Sequence, residues 1–135
     1  MVAAALTEPM IDSGARLIRK LDERGLSPDA AFWVYLPDRQ EWSLVIAEAK
    51  LATKGPRWIY SRIRDAISGS EGELPGLSLD TVSVVKPDVP IVSLLMAAID
   101  TGPGIAGIRF TNNVINGTVV EDAYIYRLTH GQRRG

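Results

Sequence analysis

Asp38, Glu48 and Lys50 are the residues of this 135-residue chain whose types most directly spell chemistry, in Pro37-Asp38 followed by Glu48-Ala49-Lys50. Two carboxylates that share a Mg2+ or Mn2+ ion, with a lysine beside them to position the attacking water, can cleave a phosphodiester. That chemistry requires all three groups to meet within about 5 Å. The intervening sequence works against it. The run "AFWVYL" and the run "EWSLVIA" are aromatic and β-branched, and "PDRQ" between them is turn chemistry, so 30–47 reads as an antiparallel hairpin. Asp38 then sits in the turn, while Glu48 lies beyond the far end of the returning strand, roughly 20–25 Å away at ~3.3 Å per residue. Here Pro37-Asp38 makes a turn, and Glu48 and Lys50 are solvated residues at a strand end.

The spelling of that set is the PD-(D/E)xK nuclease pattern, and two other runs also resemble known motifs. Gly102-x-Gly104-x-x-Gly107 is written like a dinucleotide-binding loop. Such a loop must follow a strand and open a helix so that the helix N-terminus meets a pyrophosphate. In this chain a helix precedes it and a strand follows, and Pro103 removes an amide, so it reads as a helix stop. Asp12 in "IDSGA" and Asp100 in "IDTGP" resemble the paired aspartate loops of pepsin-like proteases. Those loops need two β-lobes, for which the chain has neither the length nor the strands.

Two further features are not just spelling. Lys50, Lys54, Arg57, Arg62 and Arg64 form a basic cluster interleaved with Trp58 and Tyr60. On a helix Arg57, Ser61 and Arg64 share a face that could contact phosphates, with Trp58 able to stack on a base. Solvated charge and a packed tryptophan are the simpler reading. The second feature is the final hairpin. With Ile115 and Thr118 flanking Asn116-Gly117, Thr111 faces Asp122 and Arg109 faces Tyr124, with Tyr126 further along the same face. Arg109, Asp122, Tyr124 and Tyr126 are therefore the candidate partner-binding residues, because Arg and Tyr are favoured at interface centres.

The elements that would position these groups follow from periodicity. Met10, Ile11, Ala15, Leu17, Ile18 and Leu21 recur at helical spacing between Thr7, a candidate N-cap, and Gly25, a candidate stop. After Gly55-Pro56, Ile59, Ile63, Ala66 and Ile67 give a second helix, which ends before a flexible loop at 68–76. "TVSVV" at 81–85 reads as a strand. Asp88 is a candidate cap for a third, nearly all-apolar helix through "VPIVSLLMAAID", whose pattern predicts burial, and "TGPG" breaks it. A second hairpin spans 107–127. The predicted order is α-β-β-α-β-α-β-β: a single α+β domain over 1–135, two-layered, with three helices on one face of five mostly antiparallel strands. Residues 129–135, with His130, read as a flexible tail.

Composition narrows the function classes. There is no cysteine and one histidine, so thiolate chemistry and histidine-rich zinc sites are out, and any metal would need carboxylates. A net charge of −1 gives no global field for nucleic acid, which is an unlikely partner on that ground. The opening "MVAAALTEPM" has no positive n-region and too short an apolar run for a signal core or a membrane span, which predicts a soluble, cytoplasmic protein.

The runs "AAFWVYLPDRQEWSLVIAEA", "GPRWIYSRIRDAI" and "TGPGIAGIRFTNNVINGTVVEDAYIYRL" resemble a family of short bacterial hypothetical proteins with no assigned activity. The resemblance spans nearly the whole chain and implies a bacterial single-domain protein; it supplies no catalytic residues. The expected function is a non-catalytic protein-interaction or self-association domain, acting as a homodimer without cofactor. The alternative is a metal-dependent nuclease or phosphodiesterase using Glu48, Lys50 and a further acid. Nucleic-acid binding through the second helix, by Arg57, Trp58 and Arg64, is the weaker alternative.

Overall fold

A computed structural model describes residues 5–69, 74, 77–115 and 118–129. It opens with helix α1 (Glu8–Glu23), where the Thr7 hydroxyl accepts the Met10 N–H and Pro9 occupies the first turn. Gly25, at φ 85°, ends the helix, and Leu26 N donates back to the Leu21 carbonyl. Gly14, Leu17, Ile18 and Leu21 form the buried stripe. Each of the three large side chains contributes about 1.5–3 kcal/mol by leaving water.

Five strands follow: β1 (Ala30–Leu36), β2 (Glu41–Ala47), β3 (Val82–Val85), β4 (Ile108–Ile115) and β5 (Thr118–Leu128), in the spatial order β3-β2-β1-β5-β4. The β1–β2 register is the expected one, with Leu36 opposite Glu41, Tyr35 opposite Trp42 and Trp33 opposite Leu44. The β4–β5 register also matches, with Arg109 opposite Tyr124 and Thr111 opposite Asp122. The turn residues Asn116 and Gly117, the tail from His130 and most of the 68–76 loop lie outside the described residues. Three of the four strand pairs are antiparallel; β3 runs parallel to β2, fastened by a Ser43–Ser83 hydroxyl contact of 2.9 Å.

Between β1 and β5 the ladder carries a bulge. Ala31 is opposite Arg127 but Phe32 is opposite Ile125, so Tyr126 is the extra residue. A bulge turns two successive side chains toward one face. Tyr126 and Arg127 accordingly both reach the α1 side, as their partners Ile11 and Asp22 show.

Helix α3 (Pro56–Ser68) lies beside α1 and buries Ile59, Ile63 and Ala66 against Trp33, Leu44 and Ile46. Before it comes a one-turn helix, α2 (Leu51–Lys54), broken from α3 by Gly55 at φ 86°. This α+β domain with its main helix layer on one face is the expected architecture, with one difference. Helix α4 (Pro90–Ala98) packs on the opposite face, where Val92 and Leu95 meet Phe32, Val45, Ala123 and Ile125. Asp88 does not cap it: Val89 is the N-cap and no side chain bonds there. Nor is α4 buried all round, since Ile91, Leu94 and Met96 are only half-buried. Among the described residues no helix is long and apolar enough to cross a membrane.

Candidate functional site

Asp38, Glu48 and Lys50 are not brought together. Asp38 lies in the turn between β1 and β2, and Glu48 follows Ala47 at the other end of β2, about 20 Å away for a seven-residue strand. The expectation that Glu48 is solvated is also corrected: it is 5% exposed. Its carboxylate accepts the Lys50 N–H at 3.0 Å, and its own N–H donates to the Val85 carbonyl at 3.0 Å. Glu48 thus ties β3 to the start of α2. Burial raises its pKa, opposed by the Lys50 hydrogen bond and charge and assisted by the charge of Asp29. Among the described residues no group of three or more His, Asp or Glu side chains could hold a metal ion.

The polar face of the final hairpin is graded: Arg109 and Thr111 are exposed, Asp122 and Tyr124 half-buried, and Tyr126 buried. Arg109 donates through Nε and Nη2 to both oxygens of Asp122 at 2.7 and 2.8 Å, which raises its pKa, and its guanidinium lies 5.8 Å from the Trp42 ring centre. Tyr124 packs edge-on to Tyr126 at 5.4 Å between ring centres and lies close against Gly107. Tyr126 cannot be a partner residue: it is 1% exposed, accepts the Trp33 indole N–H at 2.9 Å and donates to the Ile11 carbonyl. Burial keeps that hydroxyl protonated far above the ordinary tyrosine range. Next to it Arg127, 4% exposed, holds both Asp22 oxygens at 3.0 and 2.8 Å and the carbonyls of Pro28 and Gly104 at 3.3 Å. Sequence reasoning missed Arg127, because a strand-end arginine ordinarily faces water and nothing local announces the bulge.

The opposite face of the hairpin is apolar. Ile108, Phe110 and Val114 alternate onto the α4 side; the first two are half-buried against that cluster, and Val114 is 66% exposed. Ile108 and Phe110 pack against the same cluster as the half-buried Ile91, Leu94 and Met96 of α4, and with Val114 they lie on the outermost strand of the sheet. At the other edge, β3 is closed off. Val85 directs its carbonyl to β2, so alternation turns the Val84 N–H outward, where the Tyr60 hydroxyl of α3 accepts it at 2.9 Å.

The basic cluster flanks that closed edge. Lys54, Arg57 and Arg64 are exposed and line an open groove of about 630 Å³ with Trp58, Tyr60 and Leu79. The Trp58 ring is engaged by Arg62 at 4.7 Å and Lys54 at 5.3 Å, and its inner side packs on the core.

The motif lookalikes have packing roles. Gly14 of "IDSGA" sits where a Cβ would collide with the Tyr126 hydroxyl and the Trp33 indole, so glycine lets α1 touch the sheet. In "IDTGPG" the Asp100 carboxylate accepts the Gly102 N–H at 3.0 Å, and Gly102 takes φ 75°. The rest of that loop continues the sheet, with Thr101 N and Ala106 N donating to the Leu128 and Tyr126 carbonyls.

Comparison with known proteins finds no matching family model, curated protein or solved structure, so function rests on this geometry.

Proposed function

We propose that the chain is a non-catalytic association module that pairs with a second copy of itself along β4. The observation that carries this is the contrast between the sheet's edges: β3 has four residues and a tyrosine on its outward amide, whereas β4 has eight residues, no strand beyond it among the described residues and an exposed valine. Long uncovered edges template further strands unless charge, proline or a bulge blocks them, and β4 carries one charged residue, already paired to Asp122. Antiparallel β4–β4 pairing about a two-fold axis gives one ten-stranded sheet. That axis keeps both α4 helices on the same face of the joined sheet, and the dimer covers Val114.

The test is sedimentation of the wild type and Val114→Lys at several micromolar concentrations. A wild-type dimer that Val114→Lys dissociates supports the reading. A wild type that stays monomeric throughout eliminates it, and a dimer indifferent to the substitution places the interface elsewhere. The nuclease alternative predicts Mg2+- or Mn2+-dependent cleavage of DNA or RNA that is lost in both Glu48→Ala and Lys50→Ala. Our reading expects no cleavage by the wild type.

A further inference from the structure

The net charge of −1 averages two unlike regions. Between Lys50 and Arg64 there are five cations and no acid, leaving −6 on the rest of the chain. A field that is weak in sum is therefore strongly positive over one short stretch. The fold concentrates that stretch. Gly55 turns α2 against the start of α3, placing Lys54 beside Arg57, and Arg64 lies seven residues along α3, about 10 Å at ~1.5 Å per residue. All three line the groove floored by Leu79, and neither Arg57 nor Arg64 belongs to an ion pair among the described residues.

We propose that this groove binds single-stranded nucleic acid, its phosphates against Lys54, Arg57 and Arg64 and a base against Trp58. Three observations favour this ligand over other polyanions. Row spacing along a helix suits a repeating backbone charge, and the groove is open to solvent. An aromatic ring lies directly among the cations, which a base face can use and an acidic peptide or a phospholipid headgroup cannot. A duplex hides its base faces, so only an unpaired strand presents both partners at once. Lys54 and Arg62 already occupy the ring, so an arriving base displaces one of them and frees that cation for a phosphate. Tyr60, whose oxygen accepts the Val84 amide, retains its own proton to donate to a phosphate oxygen. The groove borders β3, at the opposite side of the sheet from β4, so it remains open whether or not the chain dimerises.

The experiment is fluorescence anisotropy of a labelled oligothymidylate of about 15 nucleotides, titrated with the full chain at low salt and then with rising salt. Three phosphate contacts on a single strand predict a log–log salt slope of about −2. In Arg57→Ala/Arg64→Ala, whose side chains are exposed, affinity drops at least tenfold and the slope falls below about one in magnitude. Circular dichroism verifies that the double variant is folded. Trp58→Leu weakens the oligonucleotide but leaves inorganic polyphosphate, which has charge without bases, unchanged. Absence of binding at low salt overturns the proposal, as does binding that survives the double substitution. Equal or tighter binding of polyphosphate, polyglutamate or phosphatidylserine vesicles overturns it as well, by reducing the groove to a general anion surface.

Discussion

The two edges of the sheet solve the same physical problem in opposite ways. At β3 the chain satisfies the edge from within: the strand is short, it runs parallel to β2, and α3 lays the Tyr60 hydroxyl on the outward Val84 amide. At β4 the strand is twice as long and carries an exposed Val114, with Ile108 and Phe110 on the α4 side. An edge that needs no neighbour can flank an open, charged groove, whereas an edge left long and apolar calls for another chain. The two edges therefore specify different kinds of partner, and each can be perturbed separately.

The largest effect should come from neither edge but from the centre between them. Tyr126→Phe removes one oxygen, leaves the buried Trp33 indole N–H without its acceptor and deletes the hydroxyl bond that ties the sheet to the Ile11 carbonyl of α1. A loss of about 2–3 kcal/mol in urea unfolding is expected, because stranded buried polar groups cost more than an average hydrogen bond is worth. Next comes Val114→Lys, which places a charge on β4 of both copies. Dimer affinity should fall at least tenfold, about 1.4 kcal/mol, while monomer stability moves by less than about 0.5 kcal/mol because the site is exposed. Tyr60→Phe should be smaller, about 1 kcal/mol. Its sharper readout is hydrogen exchange: the Val84 amide should lose protection while the amides of β4 do not change. If Tyr60→Phe instead altered the dimer, the division of labour between the edges would be wrong.

The smallest expected effect concerns pH. Burial raises the folded pKa of Glu48 above its ordinary 4.5, so the folded state binds this proton more tightly than the unfolded chain. Its contribution to stability is therefore greatest at low pH, declines as pH rises from 4.5 through the raised folded value, and is level above it. Glu48→Gln keeps an oxygen for the Lys50 amide and should flatten that decline in urea titrations between about pH 4 and pH 8. A steeper decline in the variant would show that Glu48 is stabilised, not strained, by its surroundings.

Strand identity, hairpin register and the first two long helices were legible in the sequence because each depends on neighbours in the chain. Leu36 opposite Glu41 follows from a turn, and Ile59, Ile63 and Ala66 follow from helical periodicity. What was hidden depends on distant partners. The Tyr126 bulge arises only when β5 meets β1, and it converts a residue expected at a partner surface into a core hydrogen-bonding hub. Gly14 looked like part of an aspartate loop because the aromatic side chains it accommodates lie more than a hundred residues away in the case of Tyr126. Glu48 looked solvated because its burial, and its backbone bond to Val85, arise only when the distant β3 pairs with β2. α4 looked uniformly buried because its sequence is apolar all round, and only its seat on the sheet shows which side is left over.

The strand order also sets a clock. β1 is flanked by β2 on one side and by β5 on the other, and the Trp33–Tyr126 contact spans 93 residues. At synthesis rates of about 5–20 residues per second, β1 waits roughly 5–20 s for its second neighbour. Throughout that interval the β1–β2 hairpin presents an open side at the middle of what will become the sheet. Any β4–β5 hairpin of identical sequence fits it, including one from an adjacent ribosome. Exchange of that hairpin between nascent chains is the assembly error to which this strand order is open, and slower translation upstream of β4 would lengthen the window for it.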